Sequence, residues 1–167
     1  LREVQRGKFG GVATLEIVNL SDDLLFTAHG AKAEIRRDDG SVSPSVDQRT
    51  FEDLIAKHGP IAMGLETWSK ADPAVLLDPL GSRLNLKKDE SALLYIAFEE
   101  PMSTRRLTLD LAPALTWRSA DDTTVGANGP IIIAIDLPDV PTTSVPTKDS
   151  WRNVHFGIGI SSDDVIR

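Results

Sequence analysis

The stretch LKKDESALLYIAFEEPMSTRRLTLDL, residues 86–111, decides the fold class because two apolar runs flank a polar connection. Residues 93–98 form an unbroken apolar run that is too short for an independent helix, which predicts a central strand buried on both faces. Pro101 then removes a backbone donor and ends the strand. Residues 106–111 alternate, with leucines on a dry face and Asp110 on a wet face. We therefore predict that the two runs form a hairpin or meander in a layered β-structure.

Further strands follow from the same alternation on both sides of this stretch. Residues 12–20 place Ala13, Leu15 and Ile17 on one face. Residues 1–11 mix charges with glycine and predict a loose arm. An Asp39-Gly40 pair predicts a hairpin turn, because glycine tolerates positive φ. The remaining predicted strands cover residues 24–27, 31–36, 114–118, 131–137 and 154–160.

A single short helix is predicted in the middle of the chain. Phe51, Leu54 and His58 share one helical face, and Gly59-Pro60 ends the helix. Ser45, Asp47 or Thr50 is the expected N-cap. We interpret the whole of residues 44–81 as an insertion or a long crossover, and such long segments are uncommon unless they carry function. Residues 138–150 are rich in proline and predict a stiff connector before the last strand.

Together these elements predict one domain that covers residues 1–167. The many short alternating strands, the turn signals between them and the single helix favour a mainly all-β fold. We predict an antiparallel immunoglobulin-like β-sandwich with one short inserted helix. Strands do not alternate with regular helices, so a doubly wound parallel sheet is disfavoured.

Composition excludes several classes of function. The net charge of −7 disfavours nucleic-acid binding, which needs a basic surface to displace counterions. The chain has no cysteine, so disulfides, thiolate metal sites and cysteine nucleophiles are excluded. No apolar stretch approaches the ~20 residues that a membrane-spanning helix needs. The chain begins with Leu1 instead of methionine, which suggests a trimmed fragment.

The sequence also lacks the motifs of common active sites. The three histidines, His29, His58 and His155, are scattered and form no metal-binding pair. His58 is expected to have a structural role at the helix C-terminus. Acidic pairs such as Asp38-Asp39 are explained by turns, and Glu99 and Glu100 should point to opposite faces. No nucleophile elbow or phosphate-binding loop is present. We therefore expect no catalytic residue, no metal and no cofactor.

Tryptophan provides the remaining candidates for a binding site. Exposed indoles can stack on sugars or anchor protein partners. Trp117 is expected in the core or at a sheet edge. Trp68 and Trp151 lie in irregular segments beside polar residues, which makes them the candidate ligand-binding residues.

The order of turns and strands resembles a known family. Its members have an Asn-x-Ser turn, a strand closed by Asp-Gly, a Leu-to-Ser turn, an apolar strand ending in Phe-x-x-Pro, and a Leu-x-Leu strand. The corresponding residues here are 19–21, 39–40, 86–91, 98–101 and 107–109. This pattern is similar to that of bacterial, mostly exported or lipid-anchored immunoglobulin-like domains of unknown function. The resemblance implies a binding or accessory domain at a cell envelope, and it implies no catalytic residue.

Three hypotheses of function follow. The leading hypothesis is a non-enzymatic module that binds a protein partner in an exported or cell-envelope assembly. The second is a carbohydrate-binding module that uses Trp68 and Trp151. The third is an enzyme with a site built from residues 44–81.

Overall fold

The computed structural model describes residues 1–22, 24–65 and 83–140, and every structural statement below concerns these residues. They contain strands and one α-helix, α1 (Gln48–His58), with short 3-10 turns between some of them. The strands are β1 (Glu3–Arg6), β2 (Gly10–Val18), β3 (Leu24–Ala28), β4 (Glu34–Arg36), β5 (Val42–Pro44), β6 (Leu84–Leu86), β7 (Ser91–Glu99), β8 (Arg106–Asp110), β9 (Leu115–Ser119), β10 (Thr124–Gly126) and β11 (Ile132–Asp136).

The strands form three antiparallel sheets. Sheet A has the order β1-β2-β7, sheet B the order β10-β9-β3-β6, and sheet C the order β11-β8-β4-β5. The prediction of a mainly β, antiparallel structure with one short helix is confirmed for the described residues. None of the helices in this part of the chain is long and apolar enough to cross a bilayer.

The predicted hairpin between the two apolar runs is wrong. β7 pairs with β2 along its full length, from Ser91 opposite Val18 to Glu99 opposite Gly10. β8 pairs instead with β4 and β11 in sheet C. The polar connection therefore carries the chain from one sheet to another. Glu100 explains this geometry, because its buried carboxylate is bound by Arg37 at the β4–β5 turn of sheet C.

β7 is fully buried on one face only, whereas burial on both faces was predicted. Leu94, Ile96 and Phe98 are at most 1% exposed and enter the main core. On the other face Ala97 is buried, whereas Leu93 is 43% exposed. The reason is that α1 covers only part of the outer face of sheet A.

The main core is shared by all three sheets. The predicted inward face of β2 is confirmed, since Ala13 and Leu15 are buried and Ile17 packs against them. The other large members come from every sheet: Phe26, Ile35, Leu86, Leu94, Ile96, Phe98, Leu107, Leu109, Leu115 and Ile135. Burial of large aliphatic side chains contributes about 1.5–3 kcal/mol each. This core is therefore the principal source of stability.

Helix α1 forms a second, smaller core against the outer face of sheet A. Asp47 is the N-cap, and its Oδ1 accepts a hydrogen bond of 2.7 Å from the Thr50 backbone N–H. Phe51 and Leu54 are buried against Val12 and Ala97 of sheet A. The helix ends at Gly59, which has a positive φ of 85°. The predicted helix and one of its three candidate caps are thus confirmed.

The N-terminal segment is a strand and not the predicted loose arm. β1 pairs with β2 through Val4 opposite Ala13. The glycines make a tight turn, in which the Gly7 N–H donates to the Gly10 carbonyl at 2.8 Å. A Cβ on Gly11 would lie 2.1 Å from the Gln5 carbonyl oxygen. Close backbone approach, and not looseness, is therefore what these glycines provide.

Of two further predictions, one is corrected in detail and one is confirmed. The strand predicted over residues 31–36 is shorter, because Gly30–Lys32 forms a 3-10 turn and β4 begins at Glu34. The Asp-Gly turn is confirmed, with Gly40 at a φ of 82° between β4 and β5. Residues 66–82, 141–150 and the strand predicted over 154–160 lie outside the described residues.

Candidate functional site

A groove of about 520 Å³ lies where the chain crosses from sheet B to sheet C. We call it the seam groove. Leu24, Trp117, Ser119 and Thr123 line one side, and Val125 with residues 126–131 lines the rest. It is therefore bounded by the last strand of sheet B and by the loop that leads to β11.

The register of sheet B explains why the groove is apolar. Trp117 lies opposite Phe26 on β3 and opposite Val125 on β10, so the three side chains share one face of the sheet. Phe26 is buried in the core, with its ring centroid 5.5 Å from that of Trp117. Trp117 is half-buried, and Val125 is 48% exposed. The core-facing surface of sheet B therefore continues past the core into the groove.

The opposite wall of the groove is fixed by a buried carboxylate. Asp110 Oδ1 accepts hydrogen bonds of 3.0 Å from the backbone N–H groups of Ala112 and Ile131. Its Oδ2 accepts 2.7 Å from the Arg36 guanidinium. Asp110 was predicted on the wet face of β8, but its residue is only 2% exposed. The correction has a physical cause, since these three donors replace the water that the carboxylate loses.

The surroundings of Asp110 have opposing effects on the pKa of its carboxyl group. Burial acts to raise the pKa of this carboxyl, whereas the Ala112 and Ile131 N–H groups and Arg36 act to lower it. The net effect is a pKa below the usual value of 3.8. Asp110 is therefore charged at neutral pH and holds Ile131 in the groove wall.

The free edge of β10 forms the rim of the groove. The Ser119 N–H donates to the Thr123 carbonyl at 3.0 Å, so the alternation of an antiparallel ladder directs the backbone groups of Val125 toward β9. The backbone N–H and C=O groups of Thr124 and Gly126 must therefore point away from β9. Within the described residues β10 is the end strand of sheet B. A Cβ on Gly126 would meet no atom of the described residues within 4 Å, so the sheet face at Gly126 is also uncovered there.

Charged side chains at the β9–β10 turn, near the groove, are held by hydrogen bonds within the turn. Arg118 bonds to Asp122 across the β9–β10 turn. The Ser119 hydroxyl and the Thr123 N–H lower the pKa of Asp121. The residues that line the groove itself are all uncharged. The site is therefore suited to an apolar, uncharged ligand group.

A second cavity of about 330 Å³ lies near the start of the 44–81 segment. Its polar lining includes Arg37, Ser43 and Asp47. The Thr50 backbone N–H lowers the pKa of Asp47, which caps α1. Arg37 donates 2.6 Å to Glu100 and 3.1 Å to Ser43. These charged groups hold the structure together, and a carboxylate of lowered pKa is a weak general base at neutral pH.

The predicted ligand-binding residues stay predictions. Trp68 and Trp151 lie outside the described residues, as does His155. His58 stacks on Phe9 with ring centroids 4.1 Å apart, which agrees with its predicted structural role. Burial and the nearby Lys32 and Arg83 charges lower the pKa of His29. Glu99 is exposed and Glu100 is buried, which agrees with their prediction on opposite faces.

Sequence reasoning missed the seam groove although a signal was present. Residues 123–135 carry no charged side chain, yet they include a turn, a loop and two strands. An exposed loop usually carries charge or other strongly solvated groups. The absence of charge from a predicted loop was therefore informative.

In the part of the chain that the structure describes, no group of three or more His, Asp or Glu side chains is placed to hold a metal ion.

Comparison of the chain with protein-family models, with curated proteins and with solved structures finds no match in any of the three. The groove and the edge of β10 are therefore the features from which a function can be argued.

Proposed function

We propose that this chain is a non-enzymatic, immunoglobulin-like β-sandwich module that binds a protein partner in the seam groove. One observation carries the proposal, which is that an apolar, uncharged groove runs beside an open strand edge. An apolar groove desolvates side chains of a partner, and a strand edge offers backbone hydrogen bonds to it.

The sandwich architecture is supported by a contact between two sheets. Val46 forms an isolated bridge with Ala97, and its N–H donates to the Ala97 carbonyl at 2.8 Å. This bridge joins the β5 end of sheet C to β7 of sheet A. Sheets A and C then form one layer, and sheet B packs on it through the shared core. We propose that these are the two layers of the sandwich.

The proposed partner is a protein because the site combines an apolar groove for a side chain with a strand edge for backbone hydrogen bonds, as peptide-binding surfaces do. Val125 is 48% exposed in the groove, where Trp117 and Ile131 are partly exposed beside it. Neighbouring exposed apolar side chains of this size mark interaction surfaces more often than isolated ones do. The cell-envelope or exported location belongs to the same proposal, and the sequence resemblance supports it.

The test is selection from a displayed library of random dodecapeptides against the full chain, repeated with two matched variants. Val125→Asp places a charge in the groove, and Val42→Asp places the same charge on β5, where the valine is 49% exposed. We expect the selected peptides to bind wild type and V42D equally and V125D about tenfold more weakly or worse. Equal binding of V125D, or no enrichment with wild type, would contradict the proposal.

A carbohydrate-binding function is the second candidate, and Trp117 is the observation that favours it. Its half-buried indole shares the groove with Asn128 and Thr123, whose polar groups can bond to sugar hydroxyls. Titration of tryptophan emission with soluble oligosaccharides tests this candidate. We expect a saturable change that Trp117→Phe abolishes, whereas an unchanged response in that variant would exclude the groove as a sugar site.

A further inference from the structure

The free edge of β10 indicates which kind of protein segment binds in the seam groove. This inference rests on the proposed function. We propose that the partner segment binds as an added β-strand along β10, with one uncharged apolar side chain seated in the seam groove. The occupant is an extended, uncharged segment of a protein partner.

The hydrogen-bonding pattern of β10 comes from two independent contacts. The Ser119 N–H donates to Thr123 on the β10 side of β9. On the other side of β9, the His29 N–H donates to the Ala114 carbonyl at 2.9 Å. Both contacts fit a ladder in which Trp117 bonds toward β10 while Thr116 and Arg118 bond toward β3. Thr124 and Gly126 are left with outward-facing N–H and C=O groups.

These outward-facing groups fix the register of an incoming antiparallel strand. The residue opposite Val125 lies at a position without hydrogen bonds between the two strands, where side chains come closest. Its side chain must point to the same face as Val125 and Trp117, and therefore into the groove. The two flanking residues of the partner point to the opposite face, toward solvent.

The lack of charge in the groove indicates that the partner segment carries an uncharged side chain there. The groove lining has no charged side chain. The carboxylates next to it are already bonded: Asp110 to Arg36 and Ile131, Asp121 to Ser119 and Thr123, and Asp122 to Arg118. A charged partner residue would lose water against Trp117 and Ile131 without gaining a counter-ion, which is costly. We therefore expect a polar–apolar–polar pattern, with a large aliphatic or aromatic residue at the centre.

The edge of β10 is protected by its short length but by no blocking side chain. Natural edge strands are often blocked by proline or lysine. Here the three β10 residues are threonine, valine and glycine, and all three are exposed. A short edge of this kind gives few backbone bonds, so the side chain in the groove must supply the rest of the affinity.

The experiment uses the full chain and two kinds of change. Thr124→Pro removes an outward-facing N–H without removing a bond to β9, and the groove side chains stay unchanged. The probe is the heptapeptide Thr-Val-Thr-Ile-Thr-Val-Thr, with a dye on its N-terminus and an amidated C-terminus. Its binding is followed by fluorescence anisotropy. Two N-methylated versions carry the methyl groups on alternate residues, on one edge or the other.

We expect T124P to weaken binding of the heptapeptide about tenfold, with an unchanged melting temperature as evidence that the variant folds. Only one of the two N-methylated peptides should lose binding, because only one peptide edge faces β10. If T124P and both methylated peptides bind like the parent while V125D does not, strand addition is wrong and the proposed groove function stands. If V125D also binds normally, or wild type does not bind the heptapeptide, both fail.

A competing occupant is tested with the same chain. If sedimentation shows that wild type forms a dimer that T124P does not form, the edge pairs with a second copy, which overturns the assignment to another protein. A monomer at all concentrations tested, together with binding of the heptapeptide, is the result expected.

Discussion

The two short strands β5 and β10 have the same length and carry valines of equal exposure, 49% for Val42 and 48% for Val125. Their surroundings differ completely. After β5 the chain bridges to β7 through Val46 and enters α1, which covers sheet A. After β10 the chain crosses to sheet C through an uncharged loop and leaves the seam groove open.

Closure of a seam therefore depends on the segment that follows the edge strand. β5 ends in Pro44, which lacks the backbone donor that further pairing needs. β10 ends in Gly126, and its outward backbone groups keep their donors. One seam is thus built for stability, and the other is available for recognition. The following changes should separate these two roles.

The largest effect is expected at the closed seam from Glu100→Ala. The Glu100 side chain is 1% exposed and accepts 2.6 Å and 2.5 Å contacts from Arg37, together with 3.1 Å from the Thr104 hydroxyl. Removing it leaves the half-buried Arg37 guanidinium without a counter-ion, so we expect a loss of about 3 kcal/mol in the free energy of unfolding. Urea denaturation measures this loss. Glu99→Ala, on the exposed neighbour, should change stability by less than about 0.5 kcal/mol.

The next effect concerns the wall of the open seam. Asp110→Asn removes the charge that bonds to Arg36, and we expect a loss of about 2 kcal/mol at pH 7. Because the folded pKa of Asp110 is lowered, its contribution is present above pH ~4 and is lost as the pH falls further. Unfolding free energies between pH 7 and pH 3 should therefore fall less steeply for the variant. Parallel curves for the two proteins would contradict this role.

A smaller effect is expected at the helix that closes the first seam. Asp47→Ala removes the acceptor for the Thr50 N–H and should cost about 1 kcal/mol. Asp53→Ala changes an exposed aspartate in the same helix that has no cap role and should cost nothing measurable. Thermal unfolding followed by circular dichroism compares the two. Equal losses in both variants would show that the cap does not contribute specifically.

The smallest effect on stability is expected at the groove. Val125→Asp and Val42→Asp should each change the unfolding free energy by less than about 0.5 kcal/mol, because both valines are half exposed. V125D should nevertheless lose peptide binding. A stability loss confined to V125D would instead show that the groove residue supports the core.

Local pattern predicted most elements of the fold. Phe51 and Leu54 at helical spacing, and the alternation around Leu15, identify elements whose burial follows from period alone. Partner choice was not predictable in this way. Residues 93–98 are compatible with pairing to any strand, and only the long-range contact between Glu100 and Arg37 shows why β7 and β8 separate.

The seam groove was hidden for a related reason. The sequence pattern around Trp117 is the same whether its side chain lies inside the core or at the boundary of the core. Its exposure depends on where Asp110 anchors Ile131, which is a contact between residues far apart in sequence. The absence of charge over residues 123–135 was the one local clue, and it indicates a surface without locating it.

The first strand has a consequence for the order of folding. The Arg6 guanidinium donates 2.9 Å to the Pro101 carbonyl and 3.3 Å to the Pro138 carbonyl, which are 95 and 132 residues further along the chain. During synthesis its final acceptors do not exist until residue 138 has left the ribosome. Since a desolvated cation without acceptors is costly, β1 should settle later than described strands that are synthesised after it.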